Sequence, residues 1–330
     1  MPTPLDPPAI AVRGLRKSYR EQTVLHGIDL DVAPGTVYCL LGPNGAGKTT
    51  VVNILTTLIR LDAGEVLVAG HSVTAEPDAV RAAIGVTGQF SAIDRLLTGA
   101  ENLALMADLR HLPRAQRRRR AEELLAHFDL SDAADRRAAT YSGGMMRRLD
   151  LAMSLVGAPR ILFLDEPTTG LDPRSRRTMW QVVRDLAASG VTVFLTTQYL
   201  EEADELADRV AVLDHGRLVA EGTPDQLKKR VAGGHVRLEF ADAAGLAAAV
   251  LALGDPPADP DSLTLQVPSD GSVASVRALL DRLDGASVTV ANLSIHTPDL
   301  DDVFFALTGP AGPGGPGGPA GTGGEKVMAS

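Results

Sequence analysis

The sequence predicts an α/β protein: a largely parallel sheet with helices on its faces. Two observations carry that prediction. Short apolar runs at 161–164, 191–196 and 209–214 alternate with helix-like stretches at 175–189 and 200–208. Such alternation implies parallel strands joined by crossover helices. The second observation is the run Gly42-Pro43-Asn44-Gly45-Ala46-Gly47-Lys48-Thr49-Thr50, which links an apolar strand at 37–41 to an apolar helix start at 51–55. This is G-x-x-x-x-G-K-[ST] in a strand–loop–helix context, the phosphate-loop arrangement. The 330 residues suggest about two domains, and an apolar content of 45% suffices for a core.

From the N-terminal side, residues 10–86 read as antiparallel and parallel strands around that loop and its helix. The glycines let successive N–H groups turn inward toward an anion, and the helix N-terminus adds positive potential. Lys48 is placed to reach the β- and γ-phosphates, and the Thr49 hydroxyl to ligate Mg²⁺. Residues 87–157 turn mainly helical, with apolar spacing near 3.6 at 94–112 and 115–128. In Tyr141-Ser142-Gly143-Gly144-Met145, Ser142 reads as an N-cap, and the bare helix N-terminus is a second anion site. One chain needs one γ-phosphate cradle, so the spare suggests the nucleotide of a second subunit. The strand at 161–167 ends in Asp165-Glu166-Pro167. Beside a phosphate loop, Asp165 suits Mg²⁺ and Glu166 suits orienting and deprotonating an attacking water. Without the loop, a strand ending in acids would carry no such meaning.

With these motifs in order, the chain resembles an ATP-binding subunit of an ABC transporter. The resemblance implies a P-loop NTPase core with a helical subdomain at about 87–157. In this family Gln89 touches Mg²⁺ and the lytic water, Tyr19 matches the aromatic that stacks on adenine, and Asp172 sits at a dimer centre. Two such domains pack head to tail, so Ser142, Gly143 and Gly144 would face the ATP held by the partner's Lys48. Two positions depart from the pattern: Met145 stands where glutamine is usual, and Gln198 where histidine is usual. His215 lies too far downstream to replace that histidine and reads as a surface turn residue. Phrases such as 87–94, 97–103, 172–176, 197–200 and 300–309 resemble the daunorubicin/doxorubicin-resistance branch of exporter ATPases, in which Gln198 is usual. That branch implies a peripheral homodimer on the cytoplasmic face of the cell membrane. It would be fuelled by ATP and Mg²⁺ and coupled to an integral membrane permease that handles the drug or antibiotic, with self-resistance as the outcome.

The formal net charge of −9 argues against a nucleic-acid partner. No apolar stretch approaches the roughly 20 residues that span a bilayer, and residues 1–8 lack the basic and apolar regions of a secretory signal. Cys39, the single cysteine, reads as a small apolar residue in a reducing compartment. The ATP-binding domain is expected over 1–230, followed by a small α+β domain over 231–308 with strands at 235–240, 262–267 and 287–290 and helices at 243–253 and 272–283. That domain is either a structural appendage or a contact for a second chain, since exposing Phe304 and Phe305 is unfavourable. The tail 309–330 is Gly/Pro-rich and reads as disordered. The run Arg117–Arg120 before Glu122-Glu123 reads as a solvated helix face with i,i+4 pairs, or as a contact for anionic lipid. The alternative to export is a soluble ATPase of the same class acting in regulation, translation or DNA repair. Against it, the chain has one phosphate loop and no long coiled coil.

Overall fold

The computed structural model describes residues 7–88, 92–230, 234–269, 271–296 and 298–308. Contacts divide the chain into two compact units after Pro224. The expected tail at 309–330 lies outside the described residues.

In the first unit the elements run β1 (Ile10–Tyr19), β2 (Gln22–Val32), β3 (Val37–Leu41), α1 (Lys48–Leu55), β4 (Ala63–Val68), β5 (His71–Ser72), α2 (Pro77–Ala83) and β6 (Ile84–Thr87). Then come α3 (Gly99–Leu109), α4 (Arg114–His127), α5 (Gly143–Ser154), β7 (Ile161–Asp165), α6 (Pro173–Ala188), β8 (Thr192–Thr197), α7 (Leu200–Leu206), β9 (Arg209–Asp214) and β10 (Arg217–Gly222). One sheet has the order β10-β9-β3-β8-β7-β6. Its pairings are parallel except for the antiparallel edge strand β10. Every residue of β3, β7 and β8 is buried, which is why these strands read as continuous apolar runs rather than alternating ones. The registers Leu41↔Thr197 and Asp165↔Thr196 bring the carboxyl ends of these three strands side by side. A second, antiparallel sheet has the order β2-β1-β4-β5. A single core joins Ile10, Val12 and Leu15 of this sheet to Ile54 and Leu55 of α1 and to Tyr38, Phe163 and Phe194 of the parallel sheet. Phe194 stacks on Tyr38 at 5.5 Å and leans on Phe163 at 5.6 Å between ring centroids.

The helical reading of 94–112 shortens to α3 for a local reason. Thr98 caps the helix, accepting from Glu101 N–H at 3.1 Å, while Glu101 Oε2 accepts from Thr98 N–H at 2.8 Å, a reciprocal capping box. Residues before it are tied into a turn by the buried Asn102, whose side chain bonds both the N–H and the carbonyl of Asp94 at 2.9 Å. On α4, Arg118 pairs with Glu122 and Arg119 with Glu123 at i,i+4 spacing; exposed pairs of this kind contribute little to stability.

A short helix α8 (Pro224–Lys228) opens the second unit, which continues with β11 (His235–Glu239), α9 (Ala243–Leu253), β12 (Ala258–Asp259), β13 (Thr264–Pro268), α10 (Val273–Gly285), β14 (Asn292–His296) and α11 (Leu300–Thr308). Its antiparallel sheet, ordered β12-β13-β11-β14, packs Val236, Leu238 and Leu265 against Leu246 and Ala249 of α9 and Leu279 and Leu283 of α10. The strand expected at 287–290 is not one. Val288 and Val290 pack on this core, but backbone pairing with β11 falls to Asn292–His296, in register from Glu239↔Asn292 to His235↔His296. Apolar alternation there marks an anchoring loop, because Ser287 adopts φ 56° and breaks the extended path.

The turn between β9 and β10 has a structural role in the first unit. Gly216 N–H donates to Ala46 O at 3.0 Å, and its carbonyl accepts from His26 N–H at 2.9 Å. A Cβ there would lie 1.9 Å from Val24 O, and φ is 70°. Gly216→Ala is therefore expected to destabilise the first unit by at least roughly 1–3 kcal/mol, read as a lower denaturation midpoint in urea. Phe194→Ala, which empties the centre of the aromatic stack, is expected to cost about 3–5 kcal/mol in the same measurement.

Candidate functional site

The loop 42–47 is held by backbone contacts that only particular residues permit. Gly42 N–H donates to Thr197 O at 3.2 Å, and a Cβ on Gly42 would sit 2.3 Å from Leu213 O. Gly47, at φ 109°, is the N-cap of α1, and no side chain caps that helix. Its first-turn N–H groups are consequently left for a ligand. Asn44 and Gly45 at the loop tip and Thr49 are exposed; Pro43 and Thr50 are half-buried and Ala46 is buried.

Lys48 is only 5% exposed. Its Nζ donates to Gly42 O at 2.8 Å and Pro43 O at 3.2 Å, and lies 3.6 Å from Glu166 Oε1. Burial lowers its pKa, and the Glu166 carboxylate opposes that shift. Asp165 is buried and accepts a short hydrogen bond from the Thr196 hydroxyl across the β7–β8 register. Glu166 turns out of the strand at φ 48°, a left-handed conformation that is uncommon for a non-glycine residue and costs about 1–3 kcal/mol. It is held there because its N–H donates to Thr196 O at 3.1 Å and to Thr196 Oγ1 at 3.2 Å. Its Oε2 accepts from Thr169 Oγ1 at 3.3 Å. The turn aims the Glu166 carboxylate at Lys48. Thr49 and Asp165 supply hydroxyl and carboxylate oxygens, a donor set that fits a hard divalent cation such as Mg²⁺. Gln89, the third expected donor, lies outside the described residues.

Gln198 is half-buried directly after β8, next to the Thr197 whose carbonyl tethers the loop. Tyr19 ends β1 with 47% exposure, and Lys17 Nζ sits 5.5 Å over its ring. The Ser142 region begins α5, which packs on α3, α4 and β6. Ser142 caps α5, accepting from Met145 N–H at 3.3 Å; Ser142 and Gly143 are exposed and Gly144 half-buried. Asp172 caps α6, accepting from Ser175 N–H at 2.9 Å and Oγ at 2.6 Å, and these bonds hold its pKa below the usual range. A Cβ on Gly144 would lie 2.9 Å from the same Ser175 Oγ, so Ser175 lies close against the first turn of α5.

Several supporting residues escape sequence reasoning. Thr196 and Ser175 read as ordinary strand and helix residues. Glu202 reads as a solvated helix position, yet it is fully buried and accepts from Trp180 Nε1 at 3.1 Å; burial pushes its carboxyl pKa up. No periodicity signals a partner brought in by tertiary contact.

Comparison with known proteins agrees with the fold. A sequence model described as ABC transporter matches residues 25–169. The daunorubicin resistance ATP-binding protein DrrA2 of Streptomyces coeruleorubidus is 49% identical over 92% of this chain and 96% of its own length. The daunorubicin/doxorubicin resistance ATP-binding protein DrrA of Streptomyces peucetius is also 49% identical, over 91% and 92%. Among solved structures, a post-hydrolysis dimer of an ATP-binding cassette bound to ADP and phosphate superposes with a TM-score of 0.59 at 27% identity. That match covers 65% of this chain and 98% of the other. The chain belongs to the ABC transporter family, as an ATP-binding and ATP-hydrolysing subunit of the daunorubicin/doxorubicin-resistance branch.

Proposed function

We propose that two copies of this chain close head to tail on two ATP molecules and drive export of a drug or antibiotic through a separate membrane permease. What supports this reading is that one chain carries both a phosphate loop and an exposed N-terminus of a second helix, α5. Lys48, Asp165 and Glu166 converge at the strand ends, whereas the α5 N-terminus at Ser142 and Gly143 stays exposed. A second copy would supply the missing half, which is the usual isologous solution. Asp172 would then lie near the dimer centre. No described helix is long and apolar enough to cross a membrane. The drug path would therefore belong to the permease, with this chain docked peripherally on its cytoplasmic face.

In the proposed reaction the loop N–H groups and Lys48 bind the β- and γ-phosphates. The phosphate oxygens replace Gly42 O, Pro43 O and Glu166 as partners of the ammonium. Glu166, released from Lys48, accepts the proton of the attacking water. Thr49, Asp165 and Gln89 would hold Mg²⁺, which neutralises phosphate charge. Tyr19 stacks on adenine. Gln198 donates to the γ-phosphate from its amide but cannot ionise, so proton transfer rests on Glu166 and turnover is slow.

Glu166→Gln is expected to bind ATP without hydrolysing it and to elute as a dimer in Mg-ATP by size-exclusion chromatography; a monomer under those conditions would sink the composite site. Gln198→Ala should lower kcat by roughly tenfold, the equivalent of one lost hydrogen bond of about 1.4 kcal/mol, measured as phosphate release. Wild-type turnover would place Gln198 away from the nucleotide.

A further inference from the structure

One turn inside the exposed cap of α5, Arg147 and Asp150 form an ion pair at 3.2 Å, with side chains only 16% and 5% exposed. The pair does more than join two positions on one helix. Arg147 Nε donates to Pro167 O at 2.8 Å, one residue past Glu166, and Nη1 donates to Gly88 O at 3.4 Å. Asp150 Oδ1 accepts from Ala92 N–H at 3.3 Å. One helical turn therefore holds the end of β6, the backbone at Ala92, and the turn that follows β7. Beside the buried Asp150, the helix buries the apolar side chains of Leu149, Leu151, Ala152 and Met153. Removing a guanidinium from water is unfavourable: burial lowers the pKa of Arg147, against the opposing effect of Asp150. Such pairs seldom add net stability relative to apolar replacements, and their best-attested use is to fix a register.

We infer that the Arg147–Asp150 pair is a positioning clamp that couples the two ATP sites of the dimer. The inference rests on the head-to-tail reading proposed above. In that arrangement Ser142 and Gly144 meet the ATP bound by the partner. Arg147 lies five residues along the same helix, about 7.5 Å at 1.5 Å per residue. A helix moves as a rigid rod, so a shift of its cap at the partner's γ-phosphate moves Arg147 as well. Arg147 carries that shift to Pro167 and so to the backbone beside this chain's own Glu166. It also carries it to Gly88, while Asp150 carries it to Ala92. Neither side chain touches nucleotide; both act through the backbone they hold. Lysine at 147 keeps the charge but lacks the planar fork that serves Pro167, Gly88 and Asp150 together.

The test uses the full-length chain and compares wild type with Arg147→Lys, Asp150→Asn and the double variant. Three quantities are measured: affinity for a fluorescent ATP analogue, kcat, and the Hill coefficient of hydrolysis against ATP. Arg148→Lys is the control, since Arg148 sits on the same helix but bonds Phe128 O and Asp129 instead. The expected result is nucleotide affinity within about twofold of wild type, a kcat lower by on the order of tenfold, and a Hill coefficient falling toward 1. The double variant should be no worse than Arg147→Lys, because both substitutions open one clamp, and Arg148→Lys should track wild type. Wild-type kcat and Hill coefficient in both single variants would overturn the clamp. So would a loss of kcat matched by an equal loss of nucleotide affinity, the signature of a merely structural defect. Failure of the dimer reading is separately visible: Glu166→Gln that stays monomeric in Mg-ATP, with a wild-type Hill coefficient of 1, removes the second site and the clamp's role with it.

Discussion

The parallel alignment of β3, β7 and β8 is the constraint on which the rest of this structure depends. Parallel strands end at the same edge of a sheet, so the loop after β3, the acids at the end of β7 and the glutamine after β8 open onto one place. The registers Leu41↔Thr197 and Asp165↔Thr196 set their relative heights. Thr196 and Thr197 between them tie down two functional segments. Thr196 holds Asp165 and Glu166, and the Thr197 carbonyl holds Gly42. The buried aromatic stack of Tyr38, Phe194 and Phe163 lies within the same three strands and fixes their spacing. Site and core are in that sense one construction, which explains why the binding loop can be so exposed at its tip and still be well placed.

Within that frame the electrostatics are poised around one buried ammonium. Lys48 is withdrawn from water and compensated by two loop carbonyls and by Glu166. An ammonium held in this way is ready to exchange weak partners for a polyanion, since the charge-assisted contacts to phosphate are the stronger ones. The strained backbone of Glu166 belongs to the same arrangement. Its left-handed turn keeps the carboxylate at the mouth of the loop rather than along the line of β7. Strain at such a point is retained only where neighbours over-determine it, and the two bonds from Glu166 N–H to Thr196 do so.

The glycines divide into two kinds. Gly45 and Gly47 take positive φ, and their pattern with Lys48 is visible in the sequence. Gly42 and Gly216 are required by backbone oxygens that come from distant segments, Leu213 O and Val24 O. Only the fold reveals that the β9–β10 turn buttresses the phosphate loop through Ala46. The same holds for the Arg147–Asp150 pair, which reads in sequence as ordinary charge on a helix face.

The sequence by itself determined the local chemistry: the phosphate loop, the acidic end of β7, the cap at Ser142 and the alternation that makes a parallel sheet. Each depends on neighbours within a few residues, where spacing and residue type suffice. It also conveyed the family, because the phosphate loop, the Ser142-Gly143-Gly144 cap and the Asp165-Glu166 strand end in that order identify a shared architecture. It misjudged the stretch 287–290, where alternating valines anchor a loop and the ladder bonds fall to Asn292–His296. Apolar alternation reports which side chains are buried, not which backbone groups are paired. Tertiary structure alone decided that Thr196 supports Asp165 and Glu166 and that Glu202 is buried against Trp180. It also decided that Ser175, bonded to the α6 cap, lies against Gly144 and that Arg147 reaches Pro167 and Gly88. These contacts join residues that the chain keeps far apart, and a hydrogen bond between such residues leaves no periodic trace in the sequence of either partner.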